Sequence, residues 1–160
     1  MIGYCDAPGH FVFITEYHAQ AKAASLQGLQ HPQELHERLQ LCSSYAELLV
    51  FLHEKDIVLE FDDQDHFLGE VIIGQDPWRI ILDDVMLMRF SNSSLNNLDI
   101  WMTPEICNAF LRSKDKYVKV YLSQIHKQCR DKDPEKRPNA GQLLKSYKDV
   151  QLKLQLSPTV

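Results

Sequence analysis

The sequence predicts an α+β fold in which helices predominate, and three observations carry that expectation. Residues 33–54 place apolar side chains every three or four residues. Residues 57–90 switch to short apolar runs broken by acidic turns. The last 60 residues return to helical spacing, punctuated by capping signals.

A chain of 160 residues is one domain by its length. It is long enough to bury roughly 70% of its unfolded surface. Seventeen basic residues stand against 22 acidic ones, and no basic block interleaves with aromatics, so nucleic acid is not an expected partner. No apolar run approaches the ~20 residues that span a bilayer. The start, Met1-Ile-Gly-Tyr-Cys5, has neither a basic opening nor a long apolar stretch, so no signal peptide or membrane segment is expected in this chain. Cys5, Cys42, Cys107 and Cys129 lie far apart without a CxxC pair, which argues against zinc. Three of the four fall on apolar helical positions and read as buried free thiols, with disulfides open if the compartment is oxidising.

Residues 3–17 read as a hairpin turning at Asp6-Ala-Pro-Gly9, with Phe11-Val-Phe-Ile14 as a strand. Residues 18–32 are rich in Ala and Gln and end at His31-Pro32, a helix break or start. In 33–54, Leu35, Leu39, Cys42, Tyr45, Leu49 and Leu52 share one helical face, widened by Leu41, Leu48 and Phe51. A stripe that wide belongs in the middle of a core. Ile57–Leu59, Leu68–Ile73 and Arg79–Leu82 read as short strands, and 91–97 as a polar loop. Thr103-Pro104-Glu105 reads as a helix start, a hydroxyl cap followed by proline. Ile106, Phe110 and Leu111 face the core, as do Val118, Tyr121, Leu122, Ile125 and Cys129. Asn139 and Gln142 form a capping box that opens a last helix with Leu143, Leu144, Tyr147 and Val150 on one side. The tail 157–160 should fray.

Two acidic groups stand out chemically. Glu60-Phe-Asp62-Asp63-Gln-Asp65 follows the strand Ile57–Leu59, where a carboxylate can serve as a general base or metal ligand. Asp83-Asp84 follows the strand Arg79–Leu82, where carboxylates can share Mg²⁺ with substrate phosphates. Read alone, each is first a solvated turn or cap, a reading that the pair of sites, each closing a short strand, makes less comfortable. Asp99, just before Trp101, reads as a cap beside a packed aromatic, and His53 and His126 as satisfied surface or core residues. HExxH, GxSxG and Cys/His pairings are absent, so zinc proteases and nucleophile-elbow hydrolases are not supported.

Taken in order, these pieces resemble the protein kinase superfamily. Gly3–Cys5 through Phe11-Val-Phe-Ile-Thr-Glu16-Tyr17 looks like the hairpin running into the kinase hinge. Glu37-Arg38-Leu39 to Leu52-His53-Glu54 looks like the long central helix of the C-lobe. Asp62, or its neighbour Asp63, falls at the place of the catalytic aspartate. Asp84, or Asp83, falls at that of the metal-binding aspartate. Asp99-Ile-Trp101 looks like the aspartate that starts the next core helix, and Asp133-Pro-Glu-Lys-Arg137-Pro138 like the late arginine element. Within the superfamily, Asp99-Ile-Trp-Met-Thr-Pro104, Gln124-Ile-His-Lys-Gln-Cys129 and the 38-residue step from Asp99 to Arg137 are most similar to the O-mannose kinase family.

That resemblance implies a protein-kinase-like C-lobe carrying the hairpin of the fourth and fifth N-lobe strands. Residues 1–17 would be the end of the N-lobe and the hinge, and 18–156 the C-lobe. The implied activity is ATP-dependent phosphorylation of a mannose hydroxyl on an O-mannosyl glycan or glycoprotein. Asp62 would be the base, Asp84 would hold Mg²⁺, and Thr15, Glu16 and Tyr17 would meet adenine. Asp99 and Arg137 would be structural. The implied compartment is the lumen of the endoplasmic reticulum or Golgi.

The resemblance is incomplete. The chain holds no glycine-rich loop or phosphate-anchoring lysine, and the 15 residues from Asp84 to Asp99 leave no room for an activation segment or its glutamate partner for Arg137. Phe67 stands five positions after Asp62, where a typical kinase has an asparagine metal ligand. A truncated, impaired catalyst is therefore expected. A catalytically dead, pseudokinase-like binding module is the alternative, and a helical interaction domain unrelated to kinases is a second.

Overall fold

The computed structural model describes residues 3–7, 10–14, 22–23, 32, 34–61, 67–68, 71–74, 78–82, 88–90 and 98–156. It is α+β and mostly helical, with small antiparallel sheets. β1 (Gly3–Ala7) and β2 (His10–Ile14) form the expected hairpin, with Gly3 opposite Ile14 and Ala7 opposite His10. The expected fraying at 157–160 lies outside the described residues.

α1 (Leu35–His53) is the central element, packing against the helices Leu98–Phe110 and Ala140–Leu156 and against the strands Ile57–Leu59 and Arg79–Leu82. Leu39, Leu41, Cys42, Tyr45, Ala46, Leu49 and Leu52 are all buried, as the wide apolar stripe requires. Phe51 departs from expectation: it is 56% exposed, on the side of α1 turned from the core, with the Lys55 ammonium 4.9 Å above its ring. The helix opens with a capping box between Glu34 and Glu37. It closes into a tight reversal at Asp56, whose φ of 54° is a left-handed conformation that aspartate tolerates better than most residues.

That reversal feeds β4 (Ile57–Leu59). β4 pairs antiparallel with β7 (Met88–Phe90), setting Leu59 opposite Met88. β3 (Lys22–Ala23), β5 (Val71–Gly74) and β6 (Arg79–Leu82) form a separate three-stranded sheet in the order β3-β5-β6. The Ile80 amide of β6 donates to Ser44 Oγ at 2.8 Å, which seats this sheet on α1. β3 and β7 were not expected as strands. Each is only two or three residues long and exists through its partner, a tertiary pairing that local pattern does not announce. The run expected from Leu68 to Ile73 is divided: Phe67 and Leu68 are helical and buried, and the strand begins at Val71.

α2 (Leu98–Phe110) begins five residues before the expected start at Thr103, and Pro104 lies inside it. An interior proline removes a backbone donor and costs about 3 kcal/mol in an exposed helix. The helix continues through it because Ile100, Ile106, Cys107 and Phe110 bury one stripe on both sides of the proline. A tight turn at Ser113–Asp115 leads to α3 (Lys116–Cys129), which packs on α2 and on α4 (Ala140–Leu156). Val118, Leu122, Ile125 and Cys129 bury the α3 stripe. Tyr121, expected in that stripe, is 55% exposed, because it precedes Leu122 by one residue and so points about 100° away around the helix. α4 opens on the expected capping box: the Asn139 amide donates to Gln142 Oε1 at 2.9 Å, and the Gln142 amide to Asn139 Oδ1 at 2.8 Å. Leu143, Tyr147 and Val150 then bury its inner face.

Candidate functional site

The second residue of α2, Asp99, is completely buried and organises the space between α1, β4 and α2. A carboxylate removed from water needs partners for its lone pairs. Asp99 Oδ2 lies 2.9 Å from His53 Nε2 at the end of α1 and accepts the Leu59 backbone N–H at 3.1 Å. Oδ1 accepts the Ile100 amide at 2.8 Å, so Asp99 also serves the first turn of its own helix. The Asp99 backbone carbonyl accepts from Tyr45 Oη at 3.0 Å and from Thr103 Oγ1 at 3.2 Å. Burial, reinforced by the Asp99 charge, pushes the Tyr45 hydroxyl well above its ordinary pKa, which keeps it a neutral donor.

Leu59 is the last residue of β4, and the chain beyond it turns inward at Phe61, which is 2% exposed. The Phe61 and Phe67 rings lie 5.1 Å apart, and Phe67 meets Tyr45 edge-on at 5.2 Å. Such aromatic pairs add about 0.5–1.5 kcal/mol beyond their buried area. Glu60, between them in sequence, faces outward and pairs with Arg89 Nε of β7 at 3.0 Å. Both side chains of that pair are about half exposed, so it orients more than it stabilises.

A second buried polar cluster lies along the same side of α1. Arg38, 1% exposed, holds Asp115 in a bidentate pair, Nε to Oδ2 at 2.9 Å and Nη2 to Oδ1 at 2.7 Å. Its Nη1 donates to the Pro32 carbonyl, and the Arg112 amide donates to Asp115 Oδ2. Burial alone raises the Asp115 carboxyl. The Arg38 hydrogen bonds, the Arg112 amide and the Arg38 charge outweigh burial and hold it below the ordinary carboxylate range. The sequence signal for this pair was a basic residue set inside an apolar stripe, beside Leu39.

The late arginine element packs on α2. Arg137 is partly buried rather than solvated: its Nε donates to the Asp131 carbonyl at 2.9 Å, and its guanidinium lies 4.8 Å from the Trp101 ring centroid. Arg130 lies 4.7 Å from the same ring and forms an ion pair with Glu105. Trp101 thus joins both arginines to the helix that carries Asp99.

Of the site residues expected from sequence, Asp99 and Arg137 lie among the described residues, with the contacts given above. Thr15, Glu16, Tyr17, Asp62, Asp63, Asp83 and Asp84 lie outside the described residues. Among the described residues no three His, Cys, Asp or Glu side chains are grouped to hold a metal, and no helix is long and apolar enough to cross a membrane. His53 and His126 are satisfied by Asp99 and by the Tyr147 hydroxyl respectively.

No family model matches the chain. The chain is similar to protein O-mannose kinase of Gallus gallus, 24% identical over 94% of this chain and 56% of that protein. The protein O-mannose kinases of Macaca fascicularis and Homo sapiens are 21% and 20% identical, each over 94% of this chain and 57% of their own length. The chain therefore spans about half the length of the curated relatives it matches. Low identity spread over nearly the whole chain supports a kinase-like relationship between this chain and the protein O-mannose kinases.

Proposed function

We propose that this chain is a kinase-like C-lobe with the hinge attached, built for phosphoryl transfer from ATP to a mannose hydroxyl of an O-mannosyl glycan. The observation that carries the reading is the Asp99 carboxylate on the Leu59 amide, three residues ahead of Asp62. A buried charge on α2 fixes the point from which the acidic segment leaves β4. The β4–β7 ladder adds to this, because it opposes Leu59 to Met88, four residues after Asp84. The two acidic segments are thereby tethered by short lengths of chain to one end of one ladder.

In this reading Asp62, or Asp63, accepts the proton of the attacking sugar hydroxyl. Asp84, or Asp83, would hold Mg²⁺, which when bound neutralises charge on the transferring phosphoryl group. Backbone groups of Thr15–Tyr17 would meet the adenine. Residues 1–17 form the hinge side and 18–156 the C-lobe, and the compartment is the lumen of the endoplasmic reticulum or Golgi. Positioning supplies most of the rate in this chemistry.

One observation favours a second reading, a pseudokinase-like binding module. Phe67, at the position of the second metal ligand of typical kinases, is completely buried between Phe61 and Tyr45. The test is transfer from Mg-ATP to a mannose-containing glycan, read by mass spectrometry. Phosphorylated glycan that disappears in the Asp62→Asn/Asp63→Asn variant supports transfer. Nucleotide binding without product moves the chain to the binding module, and neither binding nor product contradicts both.

A further inference from the structure

Between the Tyr45–Asp99 bond and the Arg38–Asp115 pair, the seam of α1 carries a third contact. Cys42 Sγ lies 2.7 Å from Cys107 Sγ of α2. The same Cys42 sulfur is 3.8 Å from the backbone carbonyl of Cys107, so the two chain segments as well as the two sulfurs are close. Both residues are 1% exposed. Non-bonded heavy atoms rest at about 3.5–4.0 Å, and a disulfide bond is about 2.05 Å. A separation of 2.7 Å is too short for two thiols in ordinary contact and requires little further approach to bond.

We propose that Cys42 and Cys107 are a disulfide site that staples α1 to α2 within the core. The proposal does not depend on the phosphotransfer reading. The oxidant is a small or protein disulfide, such as oxidised glutathione. Its S–S bond is attacked by the Cys42 thiolate before the core closes, giving a mixed disulfide and releasing one thiol. As α2 packs onto α1, the Cys107 thiolate attacks the Cys42 sulfur and expels the second thiol. The two cysteines lose two protons and two electrons, and the oxidant gains them as two thiols.

Burial raises the thiols of both residues, and Cys107 raises Cys42 further. Around Cys107 in the folded chain, contacts with Cys42, His126 and Tyr147 outweigh burial and bring it down to about 6. Cys129, the third buried thiol, is instead raised by burial to about 12. Once formed, the bond is shielded on both sides by the core, and reductants reach it only through unfolding.

The test folds the full 160-residue chain from denaturant in a reduced and oxidised glutathione buffer, with a parallel sample kept in excess reductant. Each is denatured without reductant, alkylated, digested and mapped. The expected result is a peptide cross-linked through Cys42 and Cys107 in the first sample only. Intact mass should fall by about 2 Da per bond formed, and the melting temperature should exceed that of the reduced sample by at least about 5 °C. Full alkylation of both cysteines in the glutathione sample overturns the proposal. So does a cross-link from either of them to Cys5 or Cys129, or glutathione left on either.

Discussion

His53 Nε2 stands 2.9 Å from Asp99 Oδ2, joining the last residue of α1 to the second residue of α2. The same carboxylate oxygen takes the Leu59 amide, so three elements converge on one buried charge. Asp99→Ala removes that point and leaves the Leu59 N–H and the His53 ring without their partner. The expected loss is about 2–4 kcal/mol of unfolding free energy. His53→Ala, which keeps the Leu59 bond, should cost only about 1 kcal/mol. Urea denaturation of both variants checks the order, and equal losses would contradict it.

Arg38→Ala should be among the most destabilising single changes in the chain. It strands the Asp115 carboxylate in the core, and breaking a buried pair on one side costs about 3–5 kcal/mol. Replacing both partners, as Arg38→Met/Asp115→Leu, should recover much of the loss, because no unpaired charge remains. A double variant weaker than Arg38→Ala alone would count against the pair as the source.

The pair also makes stability depend on pH in one direction. The folded-state pKa of Asp115 lies below its ordinary value, so its contribution is fully present above the unfolded value of about 3.9. It is lost as pH falls through the lower folded value. Asp115→Asn should therefore lose less stability than the parent chain between about pH 5 and about pH 2. Urea midpoints across that range read it, and identical slopes would refute it.

Arg137 should act through Trp101. Arg137→Ala removes the stacked guanidinium and the donor to the Asp131 carbonyl, with an expected cost of about 1–2 kcal/mol. Arg137→Lys should recover only part of this, since an ammonium cannot reproduce a planar group over the ring. Thermal unfolding of the two variants distinguishes stacking from charge alone.

Much of this architecture is legible in the residues because it is local. The α1 stripe, the capping box of Asn139 and Gln142 and the first hairpin depend on spacing of a few residues, and each is found where spacing puts it. What local pattern hid is set by distant partners. Lys22–Ala23 becomes a strand only because Ile72 and Ile73 lie opposite. Pro104 reads as a helix start, and only the burial of Ile100 explains why α2 begins before it. Arg38 and Asp115 are 77 positions apart, beyond any motif. The resemblance singled out Asp99 and Arg137 by position, whereas the hydrogen bonds of His53 and Leu59 to Asp99 emerge only from the fold.

The central claim is a nucleotide site organised around the segments that leave β4 and enter β7. Its most direct measurement is the melting temperature of the full chain titrated with Mg-ATP, beside Asp83→Asn/Asp84→Asn. The account expects a Mg²⁺-dependent rise, equivalent to about 2.7 kcal/mol at a hundredfold excess over Kd, and its loss in the variant. No shift at any Mg-ATP concentration, with the chain folded, would contradict it.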